Sequence, residues 1–240
     1  MNLILFTPEE IRAEANMPLP RTDPRAKHIL RVLRRAEGDT FDVGLVNGPM
    51  GKARVDAIET DHIRLSFSWS ETPPPLAPVT VLLGWPRPQT ARRLLRELTT
   101  LGAGTLLFTP TEKSEPSYQS SKLWTTGEWK RHLRQGAEQA FDTRLPAVVH
   151  AASLSDALSR VAGYPTRIAL DNYEAPHHLR DLARTPGPII LALGPERGWS
   201  NPERDTLRAA GFTLAHLGPR VLKLETAAAA SVAWLLWRGG

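Results

Sequence analysis

The chain has 240 residues, of which 41% are hydrophobic and 23% charged, and a formal net charge of +5 at pH 7. That balance suits one large globular domain or two modest ones and excludes a disordered or fibrous chain. Zero cysteines exclude disulfides and thiolate chemistry, no apolar run approaches membrane-spanning length, and the opening run is too short for a signal peptide, so a cytoplasmic chain with no membrane contact is expected.

Residues 1–72 hold 10 Lys and Arg against 11 Asp and Glu, and the remainder 20 against 14, so the positive charge belongs to the C-terminal part. Even so, Arg21, Arg25, Lys27, Arg31, Arg34 and Arg35 fall within fifteen residues, opposed by Asp23 alone. Such a cluster attracts phosphate, whether as an RNA contact or as a solvated helix face. Residues 28–34 alternate apolar pairs with basic residues, which predicts a short helix with Ile29, Val32 and Leu33 packed and the arginines outward. Residues 40–46, 51–59 and 62–69 read as strands separated by Asn47-Gly48 and Thr60-Asp61 turns. A small β-barrel with one helix is the natural assembly.

Four prolines in residues 71–78 predict a stiff, extended linker. The expected organisation is therefore a domain over 1–72, a linker over 73–78 and a domain over 79–240. In the second domain, residues 79–85 read as a strand, and 90–101 as a helix bearing Arg92, Arg93 and Arg96 over a Leu94, Leu95, Leu98, Leu101 stripe. A strand over 105–109 follows, then an amphipathic helix over 129–141, a short helix over 157–161 and a strand over 166–170 ending at Asp171. Alternating strands and helices imply a parallel sheet covered on both faces.

The last fifty residues are the most informative. The apolar run 188–193 has the length and branching of a buried strand and empties into Gly194-Pro195-Glu196-Arg197-Gly198-Trp199. Ser200 and Glu203 have capping-box spacing and Pro202 sits in the first turn, so a helix begins there and closes at Gly211. Residues 212–217 are a second short strand, followed by Gly218-Pro219-Arg220 and an alanine-rich helix over 227–237. Two strand-loop-helix units place two glycine loops at one carboxyl edge, where open α/β folds bind ligands. Neither loop has the spacing of a phosphate cradle or a dinucleotide fingerprint. With prolines removing backbone donors, the loops suit an uncharged or zwitterionic ligand such as an adenosine; alternatively, the Gly-Pro pairs punctuate strand ends.

Leu193-Gly194-Pro195-Glu196-x-Gly198-Trp199-Ser200-x-x-Glu203, Gly211-Phe212 and Leu217-Gly218-x-Arg220-Val221-Leu222-x-x-Glu225-Thr226-Ala227 resemble the signature of the RsmE family, the 16S ribosomal RNA uridine-N3 methyltransferases of the SPOUT class. The likeness extends to Glu138-Gln139 with Arg144-Leu145-Pro146, to Leu101-Gly102 with residues 109–114, and to residues 28–34 with Gly38-Asp39, covering nearly the whole chain. It implies an α/β SPOUT domain with a deep trefoil knot, a PUA-like RNA-binding barrel before it, S-adenosylmethionine as methyl donor with S-adenosylhomocysteine as product, and a homodimer acting on 16S rRNA or the small ribosomal subunit without a metal.

The resemblance places Leu170, Asp171, Leu193, Gly194, Pro195, Gly198, Leu217, Gly218, Leu222 and Thr226 at the cofactor. Arg220 becomes the candidate for charge stabilisation, phosphate contact or tying down the knot. Glu225 is a loop organiser or base, with the structural role favoured, and Glu138 is a polar group near the site or part of a solvated face. Arg25, Lys27, Arg31, Arg34 and Arg92 are the expected RNA contacts. Five places depart from the family pattern: Arg197 stands where a second glycine is usual, Lys223-Leu224 replaces arginine-threonine, Phe141-Asp142 lies where an arginine is usual, Thr100 replaces a glutamate, and the start of the chain lacks the arginine often found there. Arg197 puts a side chain over the pocket mouth. These departures leave open a different RNA target or a non-catalytic relative acting in ribosome assembly.

Overall fold

A computed structural model describes residues 3–11, 17–183 and 186–237; Met1 and Asn2 of the opening run lie outside them. The chain divides into two units, residues 1–75 with 137–145 and residues 76–136 with 146–240. In the first unit, β1 (Ile4–Phe6), α1 (Pro8–Ile11), β2 (Met17–Pro20), α2 (Pro24–Lys27), β3 (Thr40–Leu45), β4 (Met50–Ile58) and β5 (His62–Trp69) follow in order. Their strands form a five-stranded sheet, β1-β3-β4-β5-β2, parallel only at β1–β3. Strand alternation over 40–69 is legible in the sequence; β1 and β2 are not. In β2, Met17 and Leu19 are buried while Pro18 and Pro20 are exposed on the sheet edge, where a missing N–H costs no ladder bond.

The expected helix over 28–34 takes another form. α2 runs on into a π-helical turn, His28–Val32, closed by the Leu33 N–H donating to the His28 carbonyl at 3.0 Å. Ile29 is fully buried and Leu30 and Leu33 pack on the same core, but Val32 is 65% exposed. The packing triad therefore needs correction at Val32, because the wider turn rotates that position away from where a helix of about 3.6 residues per turn would set it.

The second unit contains β6 (Ala77–Gly84), α3 (Pro88–Thr100), β7 (Ala103–Thr109), α4 (Lys122–Thr125), α5 (Glu128–Ala140, its residues from 137 on belonging to the first unit), β8 (Ala147–His150), α6 (Leu154–Arg160), β9 (Thr166–Leu170), β10 (His177–His178), β11 (Ile189–Leu193), α7 (Asn201–Ala209), β12 (Thr213–His216) and α8 (Leu224–Trp237). Its strands form one seven-stranded sheet, β10-β12-β9-β11-β6-β7-β8, parallel throughout. β11, at the centre, is buried at all five positions, as its unbroken apolar run predicts. α3 buries Ala91, Leu94, Leu95 and Leu98 and packs beside α8. β6 begins at Ala77 rather than 79, with Pro78 inside it, and its register with β7 shifts between Ala77 and Thr80. Proline enters a strand at such an irregularity because it has no N–H for the ladder.

Among the described residues no helix is long and apolar enough to cross a membrane. At the β4–β5 hairpin Glu59, Asp61 and His62 come together; both His62 ring nitrogens lie on carboxylates, Nδ1 at 2.7 Å from Asp61 and Nε2 at 3.3 Å from Glu59, and Arg64 pairs with Glu59 at 2.7 Å. The group is an ion-pair cluster of the first unit.

An acid-sensitive clamp joins α3 to α5. Arg92 forks onto Glu128, Nε to Oε1 at 2.9 Å and Nη2 to Oε2 at 3.2 Å, and His132 Nε2 lies 3.2 Å from Oε1. The Arg92 hydrogen bonds, then His132, depress the Glu128 carboxyl from 4.5 to about 2. A depressed carboxylate contributes stability that is complete above its unfolded pKa and lost as pH falls through the folded one. Thermal stability is therefore expected to fall between about pH 4.5 and 2, and Glu128→Gln to flatten that limb in a melting series; an unchanged acid limb would remove the clamp from the account.

Candidate functional site

β12, β9 and β11 are parallel neighbours in register, Leu170 lying opposite both Leu193 and Ala215. Their chain ends therefore leave the sheet at one level, and the loops after them line a cleft partly open to solvent. This is the carboxyl edge at which doubly wound sheets bind ligands. Eight of the ten expected cofactor residues line it: Leu170, Asp171, Leu193, Gly194, Pro195, Gly198, Leu217 and Leu222. Gly218 and Thr226 lie outside the lining, and Arg220 is within it, joined by Asn172, Tyr173, His216 and Val221, which sequence reasoning missed.

The wall formed by residues 194–199 is held from three sides. Gly194 packs so closely on the returning chain that a Cβ there would lie 2.7 Å from the Gly198 carbonyl carbon and 2.9 Å from the Trp199 nitrogen. On the sheet side, Gly84 leaves room for Pro195, whose Cδ would lie 2.6 Å from an added Cβ. The capping box forms as its spacing predicts: the Glu203 N–H donates to Ser200 Oγ at 3.3 Å and the Ser200 N–H to Glu203 Oε2 at 2.8 Å. The other Glu203 oxygen accepts from the Glu112 N–H at 2.8 Å, and Lys113 Nζ donates to the Trp199 carbonyl at 2.7 Å. Buried Glu203 is thus an anion satisfied by amides at a helix N-terminus. Fully buried Trp199 donates its indole N–H to the Leu170 carbonyl at 3.1 Å, tying this loop to the end of β9.

Asp171 anchors the β9 loop. Its Oδ1 accepts from the Tyr173 and Glu174 N–H groups at 2.8 and 2.6 Å, and its Oδ2 from buried Arg204 Nε at 2.7 Å. Its backbone N–H donates to the Ala215 carbonyl at 2.9 Å. Both oxygens of this carboxylate are occupied within the protein, so Asp171 shapes the cleft and is not itself a side-chain ligand. Arg204 carries no signal in the linear sequence, because its partner is thirty-three residues away.

Arg220 is exposed on the cleft wall and, among the described residues, forms no ion pair. Glu225, in the first turn of α8, pairs with Arg93 at 2.7 Å. Burial raises the Glu225 pKa, but its backbone hydrogen bond and Arg93 outweigh that and hold the carboxyl below its ordinary value, the condition of a fixed anion and not of a proton acceptor near neutrality. Arg92 is engaged with Glu128.

The remaining expected residues belong to the first unit. The Glu138 carboxylate accepts from the Leu5 N–H at 3.3 Å. Arg25 bonds Glu10 at 2.7 Å and Asp23 at 2.9 Å and lies 4.7 Å over the Phe6 ring. Burial would lower its pKa, yet these carboxylates raise it, so Arg25 ties α2 to the strands. Lys27, Arg31 and Arg34 are exposed and, among the described residues, unpaired.

A cleft lined by Leu170, Leu193, Leu217 and Leu222 together with loop residues 194–198, and lacking the spacing of a phosphate cradle, suits a nucleoside with a zwitterionic tail better than a polyphosphate. Comparison with known proteins gives the class first. An RNA methyltransferase domain matches residues 72–236. The ribosomal RNA small subunit methyltransferase E of Treponema pallidum is 33% identical over 98% of this chain and 91% of its own length, and that of Borreliella burgdorferi is 27% identical over 96% and 95%. The chain belongs to this family, RsmE. The fold is shared with a ribosomal RNA small subunit methyltransferase E from Neisseria gonorrhoeae bound to S-adenosyl methionine (20% identity, 99% of this chain and 98% of that one, TM-score 0.75). A Legionella pneumophila methyltransferase in complex with the bound cofactor SAM also shares it (20% identity, 99% and 98%, TM-score 0.77).

Proposed function

We propose that the chain methylates N3 of a uridine in 16S ribosomal RNA, with S-adenosylmethionine as donor. The observation that carries this reading is the leucine-lined cleft formed by the loops after β9, β11 and β12 at the carboxyl edge of the sheet, in a chain of the RsmE family. When bound, the donor supplies an electrophilic methyl group on a sulfonium. Leu170, Leu193, Leu217 and Leu222 would hold the adenosine, with the backbone of Gly194, Pro195 and Gly198 completing the grip. Positioning is the main task, since a displacement at carbon needs in-line alignment.

The acceptor nitrogen lies on the Watson–Crick edge and carries a proton, so the uracil must be unpaired when it enters. Negative charge spreads onto the two ring carbonyls as that proton leaves, and the unpaired guanidinium of Arg220 on the cleft wall is placed to stabilise it. Water takes the proton in this scheme, because Glu225 is committed to Arg93; Glu138 supports the first unit through Leu5. No step requires a metal.

The same reading makes the first unit, expected over 1–72, a PUA-like RNA-binding barrel and the second, expected over 79–240, a SPOUT domain whose loops thread a trefoil knot, with the expected 73–78 linker cut short by β6 at Ala77 and residues 137–145 joining the first unit. Support for the threading is the chain's membership of the RsmE family; the Trp199–Leu170 and Asp171–Ala215 hydrogen bonds hold the three loops side by side. A homodimer is proposed because α8, apolar from Ala227 on apart from buried Ser231, leaves Ala230, Ala233 and Trp237 exposed on one stripe, Trp237 by 83%. A cytoplasmic location follows from the ribosomal substrate.

Two measurements test the assignment of the two units. Calorimetry is expected to find one S-adenosylmethionine bound per chain. Arg31→Ala with Arg34→Ala is expected to weaken RNA binding and lower the slope of log K against log salt by about 0.7 to 0.9 per lost phosphate contact, leaving cofactor affinity unchanged; unaltered RNA binding would mean the first unit is not the anchor.

A further inference from the structure

We infer that Tyr173 and Arg197 form a nucleotide subsite at the cleft mouth, Tyr173 stacking on a base of the RNA substrate and Arg197 holding its phosphate. The inference deepens the methyltransferase reading above and rests on it. Tyr173 lines the cleft and is 76% exposed, although burial is the usual fate of an aromatic ring. Its mount is rigid nevertheless. The Tyr173 N–H is held by Asp171 Oδ1 at 2.8 Å, and the Arg204 guanidinium lies 5.1 Å from the ring centroid, itself bonded to Asp171 at 2.7 Å. The ring edge also stands over Gly198, where an added Cβ would lie 3.8 Å from Tyr173 Cε2.

A ring backed by a buried cation and otherwise open to solvent is a stacking platform whose ordering cost is already met. Any base has the flat π-face it requires, so the bound nucleobase has two sources: the RNA and the adenine of the cofactor. Position favours the RNA, because the leucine and backbone floor offers an adenine deeper cover than this exposed ring. Arg197 lines the same cleft and directly precedes Gly198, over which the ring edge stands. Its carbonyl accepts from Lys113 Nζ at 3.3 Å, fixing the backbone, while its side chain is exposed and, among the described residues, unpaired. A free guanidinium and a stacking ring lining one cleft supply the two contacts that single-stranded nucleic acid uses, base on π-face and phosphate on fork.

The test compares wild type, Tyr173→Ala, Tyr173→Phe and Arg197→Gly in four readouts: affinity for a labelled uridine-rich RNA oligonucleotide, affinity for S-adenosylmethionine, methyl transfer to small ribosomal subunits, and elution volume. Tyr173→Ala is expected to weaken RNA binding and raise the KM for RNA by about tenfold, within the range of a single stacked base, with cofactor affinity and elution unchanged. Tyr173→Phe keeps wild-type values, and Arg197→Gly lowers the salt slope by about 0.7. Unchanged RNA affinity in Tyr173→Ala overturns the inference. Loss of cofactor affinity instead assigns the ring to the adenine, and a changed elution volume assigns it to a subunit contact; either outcome also overturns it. A wild type that binds RNA and cofactor but transfers no methyl contradicts the parent reading alone, since RNA affinity still reports on Tyr173.

Discussion

Gly194→Ala is expected to lower the affinity for S-adenosylmethionine by about 100-fold, a loss of about 2.7 kcal/mol, and to abolish methyl transfer with it. The new methyl group would lie 2.7 Å from the Gly198 carbonyl carbon and 2.9 Å from the Trp199 nitrogen. Both neighbours are backbone, so no side chain can rotate away, and the wall formed by residues 194–198 must move. That wall is also pinned from behind by Glu203, Lys113 and Trp199, which leaves the cleft as the direction of least resistance. Circular dichroism should show a folded chain. Cofactor affinity within threefold of wild type would mean that this wall does not touch the ligand.

Asp171→Ala is expected to act on stability first. Asp171 and Arg204 are 5% and 3% exposed, and removing one member of a buried pair leaves the other charge uncompensated, typically at about 3–5 kcal/mol. Arg204 would keep Asn201 at 2.8 Å and Glu174 at 3.4 Å, which places the expected loss near the lower end, about 3 kcal/mol. For a chain of this size that is a fall in Tm of about 6–12 °C. The double variant Asp171→Ala with Arg204→Met should regain part of it, because an apolar pair no longer buries an unmatched charge. If the single variant melts as wild type does, the pair is not what holds the β9 loop.

The legible parts of this protein are those where neighbours in sequence settle the structure. The central strand β11 announces itself as five apolar residues before a Gly-Pro loop, and the start of α7 is written in Ser200 and Glu203, which find each other across one turn. Long-range partners are not written anywhere. Glu203 also accepts from the Glu112 N–H, ninety-one residues away, and Asp171 is claimed by Arg204, so the occupied state of both carboxylates emerges only with the fold. For Tyr173 only the turn has a local signal, since an aspartate two residues earlier suggests an Asx turn; the outward ring emerges with the fold. Val32 fails for a different reason, since a π-helical turn shifts the periodicity on which a helical stripe is read. Arg25 and Arg92 carry charge in the sequence but spend it on Glu10, Asp23 and Glu128, leaving Lys27, Arg31 and Arg34 as the exposed cations of that set.

The most direct test of the central claim is transfer of a labelled methyl group from S-adenosylmethionine to small ribosomal subunits and to naked 16S RNA lacking the modification, followed by mass mapping of the product nucleoside. The account expects label at a single uridine, converted to N3-methyluridine. Cofactor binding with no transfer to either RNA, or label on a different atom or base, would contradict it.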